Sequence, residues 1–153
     1  LLGDFEVETG GVFIPNGKTV TLTGDISQTL TGSPLTFYNL VINKTVSDPR
    51  ITVVIDGKLK VTKKLTVRAG KLVSASGYED IEIEEEGELQ LTSDISVSGH
   101  FTNSGTFDSN GFGVTFDGAR EQNLVLNTFT GFDFLLRPPY KGIADALVKF
   151  LSR

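Results

Sequence analysis

The sequence contains no cysteine, no methionine and no tryptophan, and a single histidine, His100. Without cysteine there is no disulfide scaffold, thiolate zinc site, iron–sulfur cluster or cysteine nucleophile. One histidine excludes a multi-histidine metal site and most acid–base triads. Long apolar runs are missing too, so no transmembrane helix is expected. No basic region followed by an apolar leader segment opens the chain. GxxxxGK followed by Ser or Thr, GxSxG, HExxH and a strand-following GxGxxG are all absent, and Gly111-Phe112-Gly113 reads as turn chemistry. Basic residues are outnumbered, 14 Lys and Arg against 19 Asp and Glu, for a net charge of −5. That balance disfavours a nucleic acid as main partner, because phosphates call for a basic face. No cofactor is expected.

What is present is one domain's worth of chain, 153 residues with 39% apolar side chains. This is enough to bury a core. The chain starts at Leu1 rather than Met, as a processed chain or a fragment would. Its Thr, Ser, Asn and Gly content reads as exported, so an extracellular or cell-surface location is expected. Asn43-Lys44-Thr45 matches a glycosylation acceptor, a triplet that chance supplies often.

The dominant signal is alternation. Leu59 and Val61 alternate with Lys58 and Lys60, Ile81 and Ile83 with Glu82 and Glu84, and Ile95 and Val97 with Ser96 and Ser98. Leu65/Val67, Leu89/Leu91 and Val114/Phe116 follow the same rule. Successive side chains of a strand point to opposite faces, so each segment is a short strand with one wet face. Glycine-containing turns separate them, among them Asn16-Gly17, Asp56-Gly57, Glu86-Gly87 and Asn110-Gly111. No helical period occurs before Arg137.

An internal repeat underlies the pattern. Residues 11–30 align with residues 105–124: Phe13 meets Phe107, Asn16-Gly17 meets Asn110-Gly111, and Gln28 meets Gln122. Gly3-Asp4-Phe5 meets Gly99-His100-Phe101 after a shift of two. Gly57, Gly70, Gly87 and Gly105 recur at 13 to 18 positions, too short for a repeat containing a helix. The spacing suits one coil of a β-solenoid. The expected fold is an all-β, right-handed single-stranded solenoid over residues 1–136.

The string from Gly105 to Gly118 with Gln122 and Leu124, and the element Thr36-Phe-Tyr-Asn-Leu-Val-Ile-Asn43, resemble the repeats of large secreted and cell-surface β-helical proteins of bacteria and archaea. Filamentous-haemagglutinin-like adhesins belong to that group. The likeness runs from Gly3 to Leu136. It implies a fold and a surface location but transfers no functional residue. After Leu124 the second copy departs, with Phe129-Thr-Gly-Phe-Asp-Phe134 in place of the Tyr-Asn-Leu element.

Residues 137–153 read differently. Arg137-Pro138-Pro139 breaks the strand pattern. Ile143, Leu147, Phe150 and Leu151 then fall on one face at helical spacing. The expectation is a helix of about ten residues, too short to stand alone. It would cap its own solenoid or dock on a neighbour.

Charge is segregated. Lys58, Lys60, Lys63, Lys64, Arg68 and Lys71 form a basic block without an acid. Glu79, Asp80, Glu82, Glu84, Glu85, Glu86 and Glu88 form an acidic block without a base. On adjacent coils the blocks would attract across one strand spacing and set register. Alternatively they would join one subunit to the next, making the chain a homo-oligomer or polymer. Calcium on the Glu84–Glu88 run is a third reading, against which stands the lack of a spaced Asp/Asn/Gly loop.

Phe101, Phe107 and Phe116 are expected inside. Phe129, Phe132 and Phe134 would seat the tail helix or form an aromatic platform for a sugar. His100 is expected to face solvent, inert. Asp25, Asp117 and Glu121 lie near turns, where general acid–base chemistry would need two of them to converge. Three function classes follow. The favoured one is a non-enzymatic surface protein that self-assembles or adheres, a phage fibre segment being physically equivalent. A carbohydrate-binding module is second, and a polysaccharide-active enzyme last.

Overall fold

The computed structural model describes residues 1–45, 52–126, 134–136 and 148–151, the last two segments by backbone alone. Its strands are β1 Phe5–Glu6, β2 Thr19–Leu22, β3 Gln28–Asn43, β4 Thr52–Ser74, β5 Gly77–Leu91, β6 Ile95–Val97, β7 Phe101–Asn103, β8 Thr106–Asp108, β9 Val114–Phe116, β10 Gln122–Leu126, β11 Phe134–Leu136 and β12 Val148–Leu151. Every pairing between them is parallel. The chain winds as a parallel β-solenoid of about five turns.

Stacking explains the alternation. Val20, Leu40, Leu65, Ile81, Phe101 and Leu124 lie over one another coil by coil. Phe37, Val61, Tyr78, Val97 and Phe116 form a second column. From Leu40 and Phe37 onward, both columns are buried. A one-residue slip would turn each apolar set outward, so the wet face of every strand enforces the register of the next.

The repeat is structural as well as textual. Asn16 and Asn110 both take positive φ, 48° and 50°, each followed by a positive-φ glycine, Gly17 and Gly111. In each turn the fourth residue donates back to the first, Lys18 N–H to Pro15 and Phe112 N–H to Ser109, both at 2.9 Å. Asn-Gly suits this mirror-image turn because both central residues need positive φ. Inside, Phe5 meets Phe13 edge-to-face at 5.2 Å, and Phe101 meets Phe107 in the same way at 5.2 Å.

No helix occurs among the described residues. The expected tail helix falls mostly on 137–147, outside them. So do Ile143 and Leu147. Phe150 and Leu151 belong instead to β12, whose backbone pairs with β10 in parallel. The open edge of β10 accounts for this: it offers unpaired main-chain groups that an extended segment satisfies and a helix does not. Phe129 and Phe132 also lie outside the described residues. Phe134 is on β11 beside Val114.

Candidate functional site: the charged seam and its flanking trough

The two charge blocks occupy β4 and β5, which are neighbours. Parallel registration brings Lys64 beside Asp80, Thr66 beside Glu82 and Lys71 beside Glu88. Four ion pairs close across the seam. Lys63 Nζ is 2.7 Å from Glu79, Lys64 Nζ 2.8 Å from Glu82, Arg68 Nε 3.0 Å from Glu84, and Lys71 Nζ 2.8 Å from Glu88. Three of the pairs are well exposed; Lys71–Glu88 is the sheltered one, at 17% and 20% side-chain exposure. The Glu79 carboxylate, hydrogen-bonded to Lys63, holds that ammonium above the ordinary lysine range.

The other members of the blocks are used differently. Asp80 accepts the His100 backbone N–H at 2.8 Å. Glu85 and Glu86 are exposed. Among the described residues no group of three or more acidic or histidine side chains is placed to hold a metal. Lys58 and Lys60 point outward and have no ion-pair partner among the described residues. His100 is exposed, and its Nδ1 accepts the Asn123 N–H at 3.0 Å, tying β10 to the coil beneath.

Lys58 and Lys60 border a trough of about 640 Å³ along the outside of the solenoid. It crosses successive coils, from Pro34 past Ser76 and Gly77 to Ser96, Ser98 and Asp117. Its floor is low because small residues stack there: Gly77 pairs with Ser96, and Ser96 with Thr115. Beyond Glu79 and Ser98 a second hollow of about 450 Å³ continues to Arg120 and Glu121.

A buried polar knot at the first coil has no counterpart in the expectations drawn from sequence. Lys44 is 3% exposed. Its ammonium donates to the carbonyls of Ile26 at 3.0 Å and Thr23 at 3.4 Å, and to Gln28 Oε1. Burial holds this ammonium below the ordinary lysine range, against a smaller opposing pull from Asp25. The recurrence of Gln28 as Gln122 was the available sequence signal; nothing marked Lys44.

Compared with family models, curated proteins and solved structures, the chain matches none. No helix among the described residues is long and apolar enough to cross a membrane.

Proposed function

We propose that this chain is a non-enzymatic structural protein of the cell surface, a β-solenoid subunit that extends by stacking end on end. The observation that carries the reading is the apolar first coil. Leu1, Leu2, Val12, Ile14 and Ile26 are between 51% and 81% exposed there. They lie at the end of the solenoid that holds the Phe5–Phe13–Phe37 cluster. Exposed apolar side chains on the terminal coil of a sheet with an open edge favour association, since both apolar area and main-chain groups gain by being covered.

The internal repeat indicates what covers such an end. Under the second copy, Ser98 N–H donates to Tyr78, Gly99 N–H to Glu79, and Ile81 N–H to the His100 carbonyl, at 2.7–3.0 Å. The matching atoms of the first copy belong to Leu2, Gly3 and Asp4. A further parallel coil, supplied by a second copy of the chain, fits them. The charge blocks are not needed as the joint, because four of their basic residues are already paired within the subunit. Extracellular location rests on composition and on the likeness to adhesin-type repeats.

Negative-stain microscopy with light scattering, in low and high salt, tests this. Filaments or stacked oligomers that persist at high salt and vanish in Val12→Lys/Ile14→Lys are expected. A strict monomer at high concentration in both salts would refute self-assembly.

A further inference from the structure

We propose that the trough beside the charged seam binds an acidic oligosaccharide along the solenoid axis. Four of the six residues in the basic block are neutralised by β5. Lys58 and Lys60 are not, and both line the trough. Arg120 lines the adjoining hollow and likewise has no ion-pair partner among the described residues. Lysine at one end and arginine at the other are three coil steps apart, roughly 14 Å at the usual strand spacing. Glu79, between them, is occupied by Lys63 at 2.7 Å.

The floor selects the chemistry of the ligand. Ser76, Gly77, Ser96 and Ser98 offer hydroxyls and bare backbone, and Leu59, Val61 and Tyr78 add apolar surface to the same lining, on which the C–H face of a sugar ring can rest. Ser76 and Ser98 spend their hydroxyl protons on the carbonyls of Leu59 and Tyr78, which leaves their oxygens as acceptors. At one end Asp117 adds a carboxylate that accepts from hydroxyl groups. A chain rich in hydroxyls with a carboxylate or sulfate every few ångströms satisfies both the floor and the poles. A nucleic acid is disfavoured, because the chain carries a net charge of −5 and the serine floor is not the continuous basic face that a phosphate backbone needs. A neutral glycan would leave Lys58, Lys60 and Arg120 unused.

The test is calorimetric titration of the intact chain with oligogalacturonate, a heparin-derived oligosaccharide and, as neutral probe, a cello-oligosaccharide. Binding of an acidic probe is expected, weakening as salt rises. Lys58→Ala/Lys60→Ala and Arg120→Ala should each weaken it about tenfold or more. Gly77→Gln, which fills the floor without removing charge, should abolish it, while Lys18→Ala leaves it unchanged. Circular dichroism confirms that each variant is folded. The proposal is overturned if neither acidic probe binds, if the neutral probe binds as tightly, or if Gly77→Gln binds like the parent, which would reduce the interaction to unspecific charge. These outcomes are independent of whether the chain forms filaments.

Discussion

Gln28 and Gln122, 94 positions apart, make the same pair of hydrogen bonds. Gln28 donates from Nε2 to the carbonyls of Leu1 at 3.4 Å and Gly3 at 2.6 Å. Gln122 donates from Nε2 to those of Val97 at 2.9 Å and Gly99 at 2.6 Å. The next residue in each copy repeats the device: Thr29 N–H donates to Asp4 Oδ1 and Asn123 N–H to His100 Nδ1. Each glutamine is buried and fastens a turn of one coil to the strand of another.

Their Oε1 atoms differ, and this separates the cost of losing each. Gln122 accepts the Gly118 N–H, whereas Gln28 accepts from the buried Lys44 ammonium. Both Gln→Ala variants should destabilise by about 1–3 kcal/mol, the penalty for buried polar groups left unpaired. Adding Lys44→Met should recover part of the loss in Gln28→Ala and none in Gln122→Ala. Urea midpoints measure all of these.

The four seam pairs should not be equal. Arg68–Glu84 is half exposed, so Glu84→Gln should cost under about 0.5 kcal/mol and less still in molar salt. Lys71–Glu88 is more sheltered, and Glu88→Gln should cost roughly 1 kcal/mol with weaker salt dependence. Double-mutant cycles on the two pairs check the order.

Two glycines offer a steric contrast. A Cβ on Gly87 would lie 2.1 Å from the Val67 carbonyl oxygen of the coil beneath. Gly87→Ala should therefore cost about 3 kcal/mol or more, since main chain must move. At Gly77 a Cβ meets only Ser96 Oγ, at 3.3 Å, so Gly77→Ala should stay within about 0.5 kcal/mol of the parent. Thermal melts distinguish the two.

Alkaline pH should unfold the chain through Tyr78. Burial pushes this phenol up to about 12, and its hydrogen bond to Ser74 opposes the shift only in part. An unfolded tyrosine ionises near pH 10, so between about 10 and 12 the folded state holds a proton the unfolded state has lost. Stability contributed by the neutral ring is complete below pH 10 and falls as pH rises beyond it, by up to roughly 2–3 kcal/mol. Lys44, held low, works in the opposite direction just below the ordinary lysine range. Tyr78→Phe should flatten the alkaline decline, and the tyrosinate absorbance of Tyr78 should rise only with unfolding.

Much of this fold is legible in the sequence because a solenoid is built from local rules. The alternation of Leu89 and Leu91 with Glu88 and Gln90 names the inward face without any knowledge of its neighbours. Asn16-Gly17 and Asn110-Gly111 declare their turn through the positive φ it requires. Stacked Phe5–Phe13 and Phe101–Phe107 pairs follow from a repeat visible by inspection. The seam is half legible: composition separates its basic and acidic residues, but which lysine meets which glutamate depends on bulges in the β4–β5 register. The register shift between Val61 and Lys64 takes in Lys63, which meets Glu79; Lys58 and Lys60 precede it and border the trough with Ser76 and Gly77, ahead of the acidic block.

Sequence by itself determined the all-β class, the repeat, the inward residues and the exclusion of thiol and multi-histidine chemistry, because each depends on residue type and nearest spacing. Tertiary structure alone decided that most of the basic block is consumed inside the subunit. It also decided that Lys44 is buried on Gln28, that the segment Val148–Leu151 is extended beside β10, and that small residues from neighbouring coils line one trough. These depend on how far each coil advances before it stacks. That distance is a sum over turns and bulges around the whole circuit, and no local pattern encodes it.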